Sequence, residues 1–260
     1  MNYSLLLAGL AVAFFALLLI AMRIGKWLGR GADEKGAPGT AVIEGSVFAL
    51  LGLLVAFTFS GAAQRMAERR DLLVQEVNAI GTAWLRIDMV DADGQPKLRE
   101  QFRRYVDERI DYYRNVADLE QRDRIAARVG ALQKEIWTTS MQVARASVPP
   151  FAASYVGAVN DMFDVATAQT VAQKVHPPIA TYVFLGFLTL VAAGLVGLNL
   201  ASSKRKALLH QVTYAVVMTA ALYIIIDFEF PRIGTIRIDQ SDALLVSQRQ
   251  SMVDPVGRAN

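Results

Sequence analysis

The feature that most constrains this chain is the stretch 43–88, where an uncharged apolar segment continues without a breaker into a charged segment of the same helical period. Its first half, GSVFALLGLLVAFTFSGAA, holds 19 residues without a charge, about the length that crosses a hydrocarbon core of roughly 30 Å. Neither proline nor glycine occurs between Ala62 and Ile80. The sequence therefore predicts one continuous helix of about 45 residues that leaves a membrane and extends some 70 Å.

The second half of that stretch is amphipathic. Its apolar residues recur at three- and four-residue steps, the spacing of one helix face: Met66, Leu73, Val77, Ile80, Trp84 and Ile87. The charged residues are spread around this stripe, which is typical of a helix outside the bilayer: Arg65, Glu68, Arg69, Arg70, Asp71, Glu76 and Arg86.

Composition supports a membrane protein with one soluble domain. The chain is 53% hydrophobic, with a mean hydropathy of +0.31, yet 20% of its residues are charged. Between Gln64 and Val175 there are 16 Lys or Arg and 16 Asp or Glu residues, so the soluble part is neutral. The net charge of +3 lies at the membrane edges and does not indicate a nucleic-acid partner.

The sequence contains no catalytic motif. It has no cysteine and only two histidines, His176 and His210, which excludes disulfides, thiolate metal sites and a zinc constellation. Neither a phosphate-binding glycine loop nor a Ser or Cys paired with a suitable His is found. We therefore expect no enzyme activity and no cofactor.

Helical periodicity continues along the rest of the chain and predicts an all-α fold with four transmembrane helices. Residues 3–22 form a first apolar span, 179–201 a third and 208–226 a fourth. Three amphipathic segments lie between the second and third spans, in 98–113, 119–143 and 151–166. They predict an extramembrane helical bundle inserted there. The predicted domains are 1–63 (spans one and two), 64–175 (the bundle), 176–230 (spans three and four) and 231–260 (a short tail without strong periodicity).

Small residues line two of the spans at three- and four-residue steps. They are Gly45, Ala49, Gly52, Ala56 and Ser60 on the second span, and Gly186, Ala193, Gly194 and Gly197 on the third. Such stripes let membrane helices approach closely. They serve either packing within one subunit or contact with a neighbouring subunit.

Leu51, Val55 and Phe59 follow one another at four-residue steps on the second span. In a ring of subunits they would form apolar collars around a pore that gates by dewetting; the alternative is packing against lipid or core. Glu44, at the membrane edge, is either a pore-mouth carboxylate or an N-terminal helix residue favoured by the helix dipole.

The densest polar signal is IIIDFEFPRIG at 224–234, directly after the fourth span. Charges at that depth are unfavourable unless they are paired or hydrated. Asp227, Glu229 and Arg232 are therefore predicted to form a charge cluster at the membrane edge, with Arg232 pairing one of the carboxylates. The alternative is a cation site on Asp227 and Glu229, although calcium takes six to eight oxygen ligands.

Four segments together resemble a known family: GLLVAFTFSGAAQR (52–65), EVNAIGTAWLRID (76–88), LREQFRRYVDERIDYY (98–113) and IDFEFPRIGTIRI (226–238). They are similar to the bacterial bestrophin-like family of unknown function, which distantly resembles the bestrophins. That resemblance implies a multi-pass protein of the bacterial inner membrane and a homo-oligomeric anion channel with an apolar neck. It also implies that the soluble domain lies in the cytosol and that the DFE patch at 227–229 corresponds to the calcium site of animal bestrophins. This chain departs from that pattern, because it has fewer acidic residues there.

Two functions remain open at this point. One is an oligomeric, bestrophin-like channel for small inorganic ions, and the other is a non-conducting membrane sensor or scaffold whose bundle binds a partner. Orientation is open as well. The first span has no Lys or Arg before it and four after it (Arg23, Lys26, Arg30 and Lys35). By the positive-inside rule this places the bundle outside the cytoplasm, opposite to what the resemblance implies.

Overall fold

The computed structural model describes residues 3–30, 40–115, 118–201, 207–230 and 239–253, and within these ranges the chain is helical and contains no β-strand. The helices are α1 (Tyr3–Gly29), α2 (Thr40–Arg86), α3 (Gln95–Arg114), α4 (Leu119–Ala146), α5 (Pro149–Lys174), α6 (Ile179–Asn199), α7 (Ala207–Glu229) and α8 (Asp239–Ser251). The all-α prediction is confirmed for this part of the chain.

The long central helix is confirmed as one element. α2 is a single helix of 47 residues, and two short 3₁₀ turns, Ile87–Met89 and Ala92–Gly94, connect it to α3. The second turn needs a glycine. A Cβ on Gly94 would lie 2.1 Å from Cγ2 of Val143, so α4 packs against this turn more closely than any side chain permits.

The chain divides into two compact units. The first comprises Met1–Met66 and His176–Ile236, and the second comprises Ala67–Val175 and Arg237–Asn260. Four helical stretches are long and apolar enough to cross a membrane: Leu5–Gly29, Ala41–Met89, Pro149–Asn199 and Leu208–Glu229. The third takes in both α5 and α6. The prediction of four candidate membrane-spanning helices is confirmed.

The first unit contains α1, the beginning of α2, α6 and α7. Its interior consists of two apolar clusters. One joins α2 to α6 and α7 through Leu51, Leu188 and Ile225, and the other joins α1 to α6 and α7 through Leu18, Ala193 and Ala215.

Glycines bring α1 and α6 into backbone contact within this unit. A Cβ on Gly197 would lie 2.0 Å from the carbonyl oxygen of Met22, and a Cβ on Gly25 would lie 2.0 Å from the carbonyl oxygen of Gly194. Only hydrogen fits at these positions. The small residues of the third span therefore serve packing within the chain, one of the two roles that the sequence left open.

The second unit is built from the rest of α2 with α3, α4, α5 and α8 around one apolar core. A charged network lies inside it. Arg109 Nε donates to Glu76 Oε1 at 2.5 Å, the Tyr113 hydroxyl donates to Glu76 Oε2, and Arg109 Nη2 donates to that hydroxyl oxygen at 2.7 Å. Burial raises the pKa of the neighbouring Tyr105 hydroxyl to about 12, although Arg109 opposes the shift.

Two charged residues that the sequence placed around an exposed polar surface are buried instead. Glu76 belongs to the network just described. Arg69, which is 4% exposed, donates from Nε to the Ala172 carbonyl and from Nη2 to the Val175 carbonyl, each at 3.0 Å. Its guanidinium thus satisfies carbonyl groups that the end of α5 leaves without an intrahelical partner.

Part of the C-terminal tail is helical. Asp239–Ser251 forms α8, which belongs to the second unit. Leu245 and Met252 are buried in the core, and Arg249 Nε pairs with Asp107 Oδ1 at 2.8 Å. The sequence showed no strong periodicity because few apolar residues fix this short helix. Residues 231–238, where this tail begins, lie outside the described ranges.

Candidate functional site

A charged cluster lies in the first unit, where α7 ends and the chain leads into α6. It consists of Arg65, His176 and Glu229. We call it the Glu229 cluster. Arg65 donates to Glu229 Oε2 from Nε at 2.9 Å and from Nη2 at 2.8 Å. His176 Nδ1 lies 2.9 Å from the other carboxylate oxygen, Oε1. Both oxygens of one carboxylate are thus bonded to basic side chains.

Helix positions explain why these three residues meet. Glu229 is the last residue of α7, Arg65 lies in α2 beyond the uncharged segment, and His176 precedes the prolines that lead into α6. The His176 ring also stacks on Phe230, with centroids 4.9 Å apart. The carboxylate is fully buried, whereas the Arg65 and His176 side chains are 26% and 33% exposed.

Arg65 and His176 are partners of Glu229 that the sequence analysis did not consider. Arg232, the predicted partner, lies outside the described residues, and Arg65 is 164 positions away from Glu229 along the chain. Asp227 is buried. The Glu229 cluster draws on α2, which sequence proximity could not reveal.

This arrangement is electrostatically unlike a cation site. A guanidinium that donates two bonds to Glu229 occupies the carboxylate lone pairs that a metal would use. Among the described residues, no group of three or more His, Asp or Glu side chains could hold a metal ion. The cation alternative for Asp227 and Glu229 gains no geometric support.

The three collar candidates on α2 lie in different surroundings. Leu51 is 3% exposed and belongs to the apolar cluster with Leu188 and Ile225. Val55 is half-buried against that cluster. Phe59 is 41% exposed. Since four residues turn a helix by about 40° more than one full rotation, the stripe drifts gradually from the core towards the surface.

Another face of α2 has no packing partner in the described part of its own chain. A Cβ added to Gly45 or Gly52 would meet nothing within 4 Å. Leu53 and Phe57, about 100° and 140° around the helix from Gly52, are also exposed, at 52% and 67%. The small residues of α2 therefore differ from those of α6. Those of α6 pack against α1, whereas Gly45 and Gly52 are exposed at the surface.

Glu44 lies near the start of α2 and accepts a hydrogen bond from Asn199 Nδ2 at 2.7 Å. It is half-buried. The bond joins the start of α2 to the end of α6, and the side chain remains accessible to solvent on one side.

The chain matches the Bestrophin-like domain over residues 5–243. It belongs to the bestrophin-like family. The match covers all four candidate spans and the first five residues of α8, and it confirms the family that the sequence motifs indicated.

Solved structures share the fold of this bestrophin-like chain. Three are variants of a bacterial bestrophin homologue from Klebsiella pneumoniae, with TM-scores of 0.70, 0.72 and 0.71. Their sequences are 12–13% identical to this one. The alignments cover 95% of this chain and 96–99% of the solved chains. At this identity the likeness establishes the fold. No curated protein matches the chain in sequence.

Proposed function

We propose that this bestrophin-like protein is a homo-oligomeric ion channel of the bacterial inner membrane, in which α2 lies nearest the pore. In this proposal α1, the first part of α2, α6 and α7 span the bilayer. Residues 64–175 form an extramembrane bundle inserted between the second and third spans. The family's distant relation to bestrophins favours small inorganic anions as the permeating species.

The observation that carries the proposal is the exposed face of α2. A Cβ on Gly45 or Gly52 would meet nothing within 4 Å in the described part of the chain, and Leu53 and Phe57 are 52% and 67% exposed. The reverse face of the same helix is packed against α6 and α7. A span that is packed on one side and lined by small residues and isolated large apolar ones on the other is suited to a symmetric assembly.

The same geometry selects which side chains would narrow a pore. Leu51 is enclosed by its own chain, so we assign the neck to exposed residues. Phe57 and Phe59 are two residues apart, about 200° around the helix, and they cannot both face one axis. We assign Phe57 together with Leu53 to the pore. Because neither side chain offers a hydrogen bond to an ion, this neck acts as a hydrophobic barrier and not as a selectivity filter.

Planar-bilayer recordings test this proposal. The reconstituted parent protein is compared with a Leu53→Ala/Phe57→Ala double variant, which removes bulk from the exposed face while it keeps helix propensity high. We expect a larger unitary current in the variant. The reversal potential in a chloride gradient then gives the sign of the permeating ion.

Two single variants serve as matched controls. Phe59→Ala removes a ring from a different side of α2, so unitary current should stay at the parent level. Leu51→Ala opens a cavity in the core and should lower stability by about 2–5 kcal/mol without raising current. A larger current in Phe59→Ala alone would place the neck on the side predicted from four-residue spacing.

The scaffold alternative is decided by the same recordings. A parent and a double variant that are both oligomeric in detergent and both silent across salts and voltages would refute conduction. A monomer in detergent would have no central pore for α2 to line. Either result would favour a non-conducting sensor or scaffold whose bundle binds a partner.

A further inference from the structure

A cavity of about 330 Å³ lies within the first unit between α1, α6 and α7. Its wall includes Leu10 and Phe14 of α1, Tyr182 and Gly186 of α6, and Thr219 and Tyr223 of α7. Its volume falls within the usual range of small-molecule sites, about 300–1,000 Å³. The pore proposed above involves α2, which does not contribute to this cavity.

Helix geometry explains why the cavity exists. α1 and α6 touch backbone to backbone at Gly25, Gly194 and Gly197, and they diverge towards the beginnings of both helices. A Cβ on Gly186 would meet only Phe14 Cε2, at 4.0 Å. The helices are thus joined tightly at one end and leave a space at the other.

The lining combines apolar surface with a polar atom that lacks a partner. Among the described residues, the buried hydroxyl oxygen of Thr219 has no hydrogen-bond partner. The Tyr182 hydroxyl, by contrast, interacts with Glu229 and Arg65. A buried hydroxyl without a hydrogen bond destabilises the folded protein, so a bound carbonyl or hydroxyl group that completes this bond would bind favourably.

The chemistry of the wall defines the ligand. Its residues carry no formal charge, which excludes an ionised ligand in a low-dielectric site. Three rings, of Phe14, Tyr182 and Tyr223, surround the space and favour a flat ring, because aromatic rings pack in offset or edge-to-face pairs. Leu10, also in the wall, is 58% exposed, so the cavity is reached from the outer surface of α1.

Depth distinguishes this ligand from a bilayer phospholipid. Thr219 lies twelve residues after Ala207 and ten before Glu229, the two ends of α7. At 1.5 Å per residue these are about 18 Å and 15 Å, so the hydroxyl is near the middle of the span. Polar groups of phospholipids lie at the interface, about half a hydrocarbon thickness away.

We propose that this cavity binds a neutral, membrane-dissolved molecule with a flat ring and a carbonyl or hydroxyl group, which bonds to Thr219. A decyl-substituted benzophenone is a suitable probe, since it is an aromatic ketone that attaches to nearby C–H bonds on irradiation. The purified full-length protein in lipid nanodiscs is irradiated with the probe, and adducts are mapped by mass spectrometry. Adducts should concentrate on the cavity wall, saturate, and disappear under an excess of decyl-benzoquinone.

Three variants make the test specific. Gly186→Leu fills the cavity and should abolish the saturable adducts. Gly9→Leu adds the same side chain on the exposed side of α1, where a Cβ meets nothing within 4 Å, and should leave labelling unchanged. Thr219→Val keeps the shape and removes the hydroxyl, so half-saturation should require roughly threefold to tenfold more probe. This last variant keeps the test decisive should Gly186→Leu fail to fold.

The alternative occupants give different results. A phospholipid chain carrying a photoreactive group would label the wall without saturation, and decyl-benzoquinone would not compete with it. Contact with a second copy of the chain would exclude both probes and give crosslinks to a neighbouring subunit. Either outcome, or equal labelling of the parent and Gly186→Leu, would overturn the proposal.

Discussion

The Glu229 cluster predicts that removing the charge of Arg65 costs more stability than removing the charge of Glu229. Arg65→Gln leaves a carboxylate that is fully buried, with His176 as its remaining partner in the cluster. Breaking a buried pair in this way typically costs about 3–5 kcal/mol. Glu229→Gln instead leaves a guanidinium whose side chain is 26% exposed and which can reach water. We expect its cost to be lower, about 1.5–3 kcal/mol, the range for losing a hydrogen bond to a charged group.

The measurement is equilibrium unfolding of the purified protein in mixed micelles, followed by tryptophan fluorescence, for both single variants and the double variant. The double variant should lose less stability than the sum of the singles, with a coupling of about 1–3 kcal/mol. Glu44→Gln is the control, because that carboxylate is half-buried and accepts one bond from Asn199. Strict additivity, or a greater loss in Glu229→Gln than in Arg65→Gln, would refute the reasoning from burial.

Two further predictions concern packing and pH. Gly197→Ala should destabilise the first unit by at least about 1–3 kcal/mol in the same unfolding assay, because the new Cβ would lie 2.0 Å from a backbone oxygen and overpacking forces helices apart. Gly9→Ala is the control: its Cβ would meet nothing within 4 Å, so this variant should be neutral or stabilising. Burial raises the Tyr105 pKa to about 12 from 10, so the unfolded chain ionises first as pH rises. The contribution of Tyr105 to the free energy of unfolding is therefore fully present below pH 10. It falls by about 2–3 kcal/mol between pH 10 and 12. Tyr105→Phe should show a smaller loss over that window, and an unchanged pH profile would contradict the assignment.

Helix positions could be predicted from the sequence because they depend on local pattern. The uncharged run of the second span and the periodic apolar residues after it define α2 without reference to any other part of the chain. α8 could not be predicted in this way. Leu245 and Met252 are its buried anchors, and they are identified only when the core that receives them is known. Short helices depend on tertiary contacts more than on propensity.

Charge partners were the least predictable feature. Glu76 and Arg69 have the helical spacing of solvated residues, yet each is buried against a group from another helix. The partner of Glu229 is equally remote in sequence. Periodicity reports which side of a helix a residue occupies, but it does not report what lies opposite. A buried arginine beside a carboxylate and a solvated arginine therefore look alike until the fold is known.

The glycines show how one sequence signal can have two structural meanings. Gly194 and Gly197 lie where a side chain would strike the backbone of α1, whereas Gly45 and Gly52 face open space. From their spacing alone, the small residues of α2 and those of α6 could not be told apart. Because a glycine in a helix interior loses about 1 kcal/mol relative to alanine, glycines without an intrachain contact need a reason from outside the chain. Close approach of a neighbouring α2 supplies that reason in the proposed assembly.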